Sequence, residues 1–277
     1  MTHGRGRLLE LLEANGLRPS RALGQNFMAD ANTCHRIVRL AGVGHGDRVV
    51  EVGAGLGSLT LALVEVGCQV TAVEIDRHVL PVLRQVVEPH GVRVVEGDAT
   101  TLDWSAVLGE GPWHLVANLP YNVATPLVCD LLDGVPAIVD LLVLVQREVA
   151  ERLAAGPGDA AYGAVSVKVR QWATAAVVGK VPASVFVPKP NVESALVRIV
   201  RRPEPVVSAE QVGHDRLFAV VRAGFAHRRK MLRGALAGVV APEAFAAAGV
   251  APTARAEEVD IEAWGRLAAW PAPCPPT

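Results

Sequence analysis

Asp47-Arg48-Val49-Val50-Glu51-Val52-Gly53-Ala54-Gly55-Leu56-Gly57-Ser58 carries the reading of the fold. Val49, Val50 and Val52 give the first six residues the β-branched content that a strand favours. Gly53, Gly55 and Gly57 then mark a tight turn, and Ser58 to Val66 has the spacing of a helix. Glycines at such a turn let the backbone approach a ligand closely.

The same alternation continues outward. Gln69 to Ile75 reads as a strand, Leu80 to Glu88 as a helix, Val92 to Glu96 as a third strand and Leu115 to Ala117 as a fourth. Val139 to Gln146 is an apolar run suited to a strand buried on both faces. Arg147 to Ala155 and Ala164 to Ala173 read as helices, Val177 to Val181 and Ser194 to Val200 as the last strands. Two helices, over residues 8–14 and 30–41, precede the sheet and flank an irregular polar stretch. Strands alternating with helices predict an α/β, doubly wound, Rossmann-like and mostly parallel sheet. Arg202-Pro203-Glu204-Pro205 reads as a linker to a helical tail of Asp215 to Gly234, Pro242 to Ala248 and Ile261 to Ala269. The expected division is therefore a sheet domain over 1–203 and a helical domain over 204–277, which a chain of 277 residues accommodates.

Composition narrows the setting. Hydrophobic residues make up 51% of the chain, enough for a large core, yet no apolar run approaches the length needed to span a bilayer. Residues 1–13 are charged and lack the apolar stretch of a signal peptide. Cys34, Cys68, Cys129 and Cys274 are scattered, without Cys-x-x-Cys spacing, which fits a reducing cytoplasm and argues against zinc or a disulfide framework. His35, His78, His114 and His227 show no ligand spacing, so no metal is expected. Net charge is −1, but nine basic residues and three acidic ones fall between Arg198 and Arg233, a local balance that can neutralise phosphates. A solvated helix face would produce the same run.

Candidate site residues fall at strand ends. Glu74 closes the second strand, where a carboxylate can accept ribose hydroxyl protons. Asp98 follows the third strand and suits an adenine amino group. These acids fit a nicotinamide cofactor or S-adenosylmethionine; Ser58 at the third glycine position of the dinucleotide fingerprint leans away from the former. Glu51 has two readings, a structural hydrogen bond or contact with a methionyl amine. Asn118-Leu119-Pro120-Tyr121 ends the fourth strand. An Asn oxygen and a neighbouring carbonyl can accept both hydrogens of an exocyclic amine. Pro removes a donor and fixes φ, which holds that carbonyl still, and a Tyr ring can stack on a flipped-out base. This is what methylating adenine N6 requires. Asn-x-Pro also marks ordinary turns, and the tetrapeptide alone does not separate the two.

Leu23-Gly24-Gln25-Asn26-Phe27, the Gly-rich turn, Val73-Glu74-Ile75-Asp76, Gly97-Asp98-Ala99 and Asn118-Leu119-Pro120-Tyr121 occur in that order. With Val145 to Arg152, Val185 to Ser194 and Phe225 to Leu232, they closely resemble the ribosomal RNA adenine N6,N6-dimethyltransferase family from about residue 18 to 270. Leu23 to Phe27, Leu119 and Pro188 to Ser194 look like its bacterial small-subunit (16S) branch. Met28 in place of the family's usual Leu, and Val123-Ala124-Thr125-Pro126 in place of Ile-Ser-Thr-Pro, are mild departures.

The resemblance implies a class I S-adenosylmethionine-dependent methyltransferase sheet with a small C-terminal helical domain. It implies dimethylation of two adjacent adenines near the 3′ end of small-subunit rRNA, on a pre-30S particle, by a monomeric cytoplasmic enzyme. Gly53 and Gly55 would admit the cofactor, Glu74 its ribose and Asp98 its adenine, with Asn26 and the Met28 backbone over the methionine end. Asn118 and the Leu119 carbonyl would orient the target N6, with Pro120 fixing the turn and Tyr121 and Phe186 sandwiching the base. Arg222, Arg228, Arg229, Lys230 and Arg233 would hold rRNA phosphates. The competing readings are a large-subunit (23S) methyltransferase conferring macrolide resistance, an assembly factor that only binds rRNA, and a nicotinamide oxidoreductase.

Overall fold

The protein is described by a computed structural model over residues 1–20, 23–227 and 229–271. Arg228 and Cys274, both named above, lie outside the described residues. The elements in chain order are α1 (Arg5–Ala14), β1 (Phe27–Met28), α2 (Ala31–Ala41), β2 (Arg48–Val52), α3 (Ser58–Glu65), β3 (Gln69–Glu74), α4 (Leu80–Val87) and β4 (Arg93–Glu96). Then come α5 (Trp104–Leu108), β5 (Trp113–Asn118), α6 (Ala124–Gly134), β6 (Ile138–Gln146), α7 (Arg147–Ala154), α8 (Ala164–Trp172), β7 (Ala173–Val181), β8 (Phe186–Val187) and β9 (Ser194–Arg201). The C-terminal helices are α9 (His214–Ala226), α10 (Leu232–Ala235), α11 (Glu243–Ala248) and α12 (Ile261–Ala269).

Seven strands form the main sheet in the order β4-β3-β2-β5-β6-β9-β7. β4, β3, β2, β5 and β6 run parallel, and β9 is antiparallel to β6. β2 has β3 on one side and β5 on the other, so the strand order reverses there. A parallel sheet binds ligands at the carboxyl ends of strands flanking such a reversal. The apolar run of β6 behaves as its sequence requires: Leu141 to Val145 are buried on both faces.

Local chemistry sets the element ends. Asp30 caps α2 by accepting from Thr33 N at 2.8 Å, and Gly42, at φ 68°, closes that helix in the left-handed region. Four elements escape the sequence pattern. β1 and β8 pair only through Phe27↔Val187 and Met28↔Phe186, too few residues for a period to register. α5 is a short helix capped by Asp103, which accepts from Ala106 N at 3.1 Å. α6 carries Pro126 in its first turn, where proline is tolerated. The single helix expected over Asp215 to Gly234 is two: α9 ends at Ala226, and α10 is held separately by Leu232 N to Ala254 O at 2.8 Å.

The chain divides into two compact units, Met1–Ala150 with Ala176–Arg201, and Glu151–Ala175 with Arg202–Thr277. This boundary differs from the one expected at 203. Within the second unit, Tyr162 and Val167 share a buried cluster with Leu217, Phe245 and Trp264. The Tyr162 hydroxyl donates to Val259 O at 2.9 Å, and Gln171 exchanges two hydrogen bonds with the Val207 backbone. Arg202-Pro203-Glu204-Pro205 is therefore not a free linker: Arg202 N donates to Trp172 O at 2.8 Å and Val206 N to Gln171 O at 3.0 Å.

In the first unit, Arg201 ties β9 to the C-terminal end of α6. Its guanidinium donates to Leu131 O, Leu132 O, Val135 O and Ile138 O at 2.8–3.2 Å. The last carbonyls of a helix have no partner within it, and leaving such groups unsatisfied is costly. Arg201→Met is expected to lower the stability of this unit by about 3 kcal/mol. Urea unfolding followed by sheet circular dichroism measures it, and a midpoint equal to wild type would show the bonds to be dispensable.

Candidate active site

A cavity of about 280 Å³ opens at the strand-order reversal and is lined by the turn after β2 and the ends of β3, β4 and β5. Residues 23–28 line it from the N-terminal side. Sequence reasoning placed Asn26, Met28, Gly53, Gly55, Glu74, Asp98, Asn118, Leu119, Pro120 and Tyr121 at one site, and all of them line this cavity.

Glu74 fixes the turn. Its buried carboxylate accepts from Gly55 N at 2.8 Å and from Ile75 N and Asp76 N at 3.0 Å each. A carboxylate offers about four acceptor sites, so most of its capacity is taken before any ribose arrives. Burial pushes its pKa up, against the pull of those three donors. Gly55 sits at φ 57°, and a Cβ there would lie 2.9 Å from the Phe27 ring. Its lack of a side chain thus makes room for Phe27 of β1 as well as for a ligand. Ser58 Oγ is buried at the cavity wall and has no hydrogen-bond partner among the described residues.

Glu51 has both a structural and a cavity-facing character. It is fully buried, accepts from Thr60 Oγ1 at 2.5 Å, and lines the cavity. Burial pushes its carboxyl up to about 8, with the negative Glu74 adding to the shift. Two buried carboxyls on one wall favour a ligand that brings positive charge.

Residues 23–28 are strapped down. Asn118 Nδ2 donates to Asn26 O at 3.0 Å, Asn26 Nδ2 to Gly24 O at 3.1 Å, and Gln25 Nε2 to Asp76 Oδ2 at 2.6 Å. With its Nδ2 held by the strap, the Asn118 amide keeps Oδ1 as its acceptor for a ligand. Leu119 N donates to Leu144 O at 3.1 Å, and Pro120 O accepts from Val123 N and Ala124 N, so the turn is bonded to β6 and to α6. Tyr121 is half-buried, and its hydroxyl lies 2.8 Å from Ser194 Oγ. Asp98 is exposed; its Oδ1 accepts from Thr100 N and Thr100 Oγ1, which hold its carboxyl below the usual range.

Phe186 is a correction. It does not line the cavity beside Tyr121 but is 0% exposed, packed in the core with Met28, Cys34 and Ile37. Burying a phenylalanine is worth about 1.5–3 kcal/mol, a gain that the motif reading left out. Gln25, Thr60 and Ser194 were given no role from sequence. Their partners lie 51, 9 and 73 residues away, and no local period signals such pairs.

The basic run also separates. Arg198 is bonded to Asp140, Arg201 to the end of α6 and Arg216 Nη2 to Val239 O. Arg222, Arg229, Lys230 and Arg233 are exposed on the second unit. Among the described residues no group of three or more His, Cys, Asp or Glu could hold a metal ion.

Comparison with known proteins adds a family to this geometry. The ribosomal RNA adenine dimethylase family matches residues 17–272. Ribosomal RNA small subunit methyltransferase A of Cutibacterium acnes is 49% identical over 259 residues, covering 89% of this chain and 86% of that protein. Its counterpart in Nocardia farcinica is 48% identical over 270 residues, covering 94% and 92%. Among solved structures, the 23S rRNA methyltransferase ErmE superposes with a TM-score of 0.70 at 28% identity, covering 88% of this chain and 98% of that one. A dimethyladenosine transferase from Plasmodium falciparum shares the fold, with a TM-score of 0.71 at 22% identity over 85% and 94% of the two chains.

The Glu51 carboxyl generates a pH prediction. Its pKa rises from 4.5 unfolded to about 8 folded, so its contribution to stability is full below 4.5 and is lost as pH climbs through 8. Glu51→Gln keeps an acceptor for Thr60 and cannot ionise. Its Tm relative to wild type, measured without ligand, should be higher at pH 8.5 than at pH 5. An equal difference at both would show that the carboxyl ionises normally.

Proposed function

Because the chain belongs to the ribosomal RNA adenine dimethylase family, we propose that it transfers methyl groups from S-adenosylmethionine to N6 of two adjacent adenines near the 3′ end of small-subunit rRNA, giving N6,N6-dimethyladenosine. The observation that carries the chemistry is the Asn118 amide, whose Nδ2 is held by Asn26 O so that Oδ1 remains to accept from an incoming amine. The small-subunit target is supported by the relatives named for that subunit, which share far more of their sequence with this chain than ErmE does.

The cavity fits this cofactor. Its volume approaches that of small-molecule sites. Two buried carboxyls, Glu51 and Glu74, face a ligand carrying a sulfonium and an ammonium, and Ser58 Oγ offers an unpartnered polar atom. When bound, S-adenosylmethionine supplies an electrophilic methyl without help from a metal. Glu74 takes the ribose, Asp98 the adenine, and Asn26 and Met28 close the methionine end. Asn118 Oδ1 and the Leu119 carbonyl accept the two N6 hydrogens and so aim the nitrogen lone pair. Tyr121 stacks on the base, an interaction worth about 1–3 kcal/mol. Orientation supplies most of the rate, since holding reactants in place can remove several kcal/mol of barrier. The amine loses its proton after attack, and no tuned base is needed.

The enzyme works as a cytoplasmic monomer on the pre-30S particle, late in its assembly, with Arg222, Arg228, Arg229, Lys230 and Arg233 on rRNA phosphates. Exposure of the four described members supports that role. No helix among the described residues is long and apolar enough to cross a membrane.

Undermethylated small subunits and naked large-subunit rRNA, offered in parallel with labelled cofactor, test the target. Label should appear in small-subunit rRNA as N6,N6-dimethyladenosine; label only on large-subunit rRNA would overturn the assignment. Asn118→Ala should lower methyl transfer about 10²–10³-fold, with cofactor affinity changed only severalfold. A variant retaining more than about a tenth of wild-type turnover would remove the orienting role. Replacing Arg229 and Lys230 by Ala should reduce the slope of log affinity against log salt by about 1.5. An unchanged slope would mean that the two cations make no phosphate contact.

A further inference from the structure

Tyr121 is the one aromatic ring among the proposed base-binding groups that lines the cavity, and its hydroxyl does not point to open solvent. It lies 2.8 Å from Ser194 Oγ. Ser194 is 1% exposed and is the first residue of β9. Its backbone faces Gln146, the last residue of β6, in a ladder that runs without a break from Asp140↔Val200 to Gln146↔Ser194. Beyond it, Arg147 N donates to Glu193 O at 2.9 Å and the Arg147 guanidinium meets the Glu193 carboxylate at 2.6 Å. The serine hydroxyl is therefore mounted on a strand that is paired up to this residue. The tyrosine ring, by contrast, sits on a turn and has two side-chain torsions of its own. A ring that must lie flat against a base gains from being held before the base arrives, because the ordering cost is then met on folding.

We propose that Ser194 is a positioning residue for methyl transfer: its hydroxyl tethers the Tyr121 phenol to β9 and fixes where the long axis of the ring lies, and so the place of the platform on which the target adenine stacks. The proposal rests on the reading of Tyr121 as the stacking platform. The hydrogen bond is made at the far end of the ring, so it holds the ring axis without covering the face. It also accounts for a serine in a strand whose other buried residues, Ala195, Leu196, Val197 and Ile199, are apolar. A buried hydroxyl is tolerated there because it has a partner.

A double-mutant cycle tests the tether. Ser194→Ala and Tyr121→Phe each remove it from one side, and each should lower kcat about tenfold while leaving the cofactor dissociation constant within about twofold. The double variant should be no slower than either single one. A double variant slower by the product of the two effects would mean independent roles and overturn the proposal. So would loss of activity in Tyr121→Phe with Ser194→Ala unimpaired, which would place the phenol on the substrate itself. Tyr121→Ala tests the underlying reading. If it is inactive while Ser194→Ala and Tyr121→Phe match wild type, the platform stands and the tether falls; if it is fully active, both fall. The chain has two tyrosines, and Tyr162 is fully buried in the second unit, so fluorotyrosine labelling gives two resolvable ¹⁹F signals. Ser194→Ala should shift and narrow only the Tyr121 signal as its ring is freed. An unmoved Tyr121 signal would show that the hydroxyls do not meet in solution.

Discussion

The carboxylate of Glu74 lies buried at the end of β3 and gathers the N–H groups of Gly55, Ile75 and Asp76 around itself. The turn after β2 and the bend after β3 are thereby fixed to each other, and the cavity wall they form cannot relax independently. Gly53 N and Ala54 N both reach Val73 O, so the same turn is also bonded to the strand backbone beside it. Without these bonds the first-turn N–H groups would have to find water inside a narrow crevice, at the usual cost of a buried unsatisfied donor. The electrostatic consequence is that a charge placed to organise backbone also stands where a cationic ligand can meet it.

Around that centre the remaining polar groups divide between holding and receiving. Gln25 pins the strap to Asp76, which in turn accepts from His78 N and so starts the segment leading to α4. Asn118 pins the strap from the other side, through Asn26 O. One amide end is thus structural, and the other is the end that the proposed function gives to the target amine. Thr60 plays a similar part for Glu51, donating to a carboxyl that burial keeps protonated to a higher pH than usual.

Arginine use follows the same division. Arg198 and Arg201 sit on β9 and bond to Asp140 and to the carbonyls closing α6, so their charge serves the sheet. Arg216 bonds to Val239 O within the second unit. A count of basic residues along the chain cannot distinguish these from the exposed Arg222, Arg229, Lys230 and Arg233. Guanidinium groups make both kinds of contact, and only their neighbours determine which.

The sequence by itself determined the α/β class, the five strands that run parallel and the strand ends on which the site is built. It could do so because each of these rests on local properties: β-branched runs, a glycine turn, acids and Asn118-Leu119-Pro120-Tyr121 at set offsets from apolar stretches. Tertiary structure alone decided what depends on distant residues. It moved Glu151–Ala175 into the second unit, because Tyr162 and Gln171 find their partners near Val259 and Val207. It enclosed Phe186, because a two-residue pairing with β1 turns that ring into the core and not toward Tyr121. It brought Ser194 to Tyr121 across 73 residues of chain. Apolar periodicity specifies which face of an element is buried; which particular group a buried side chain meets is set only when the elements pack.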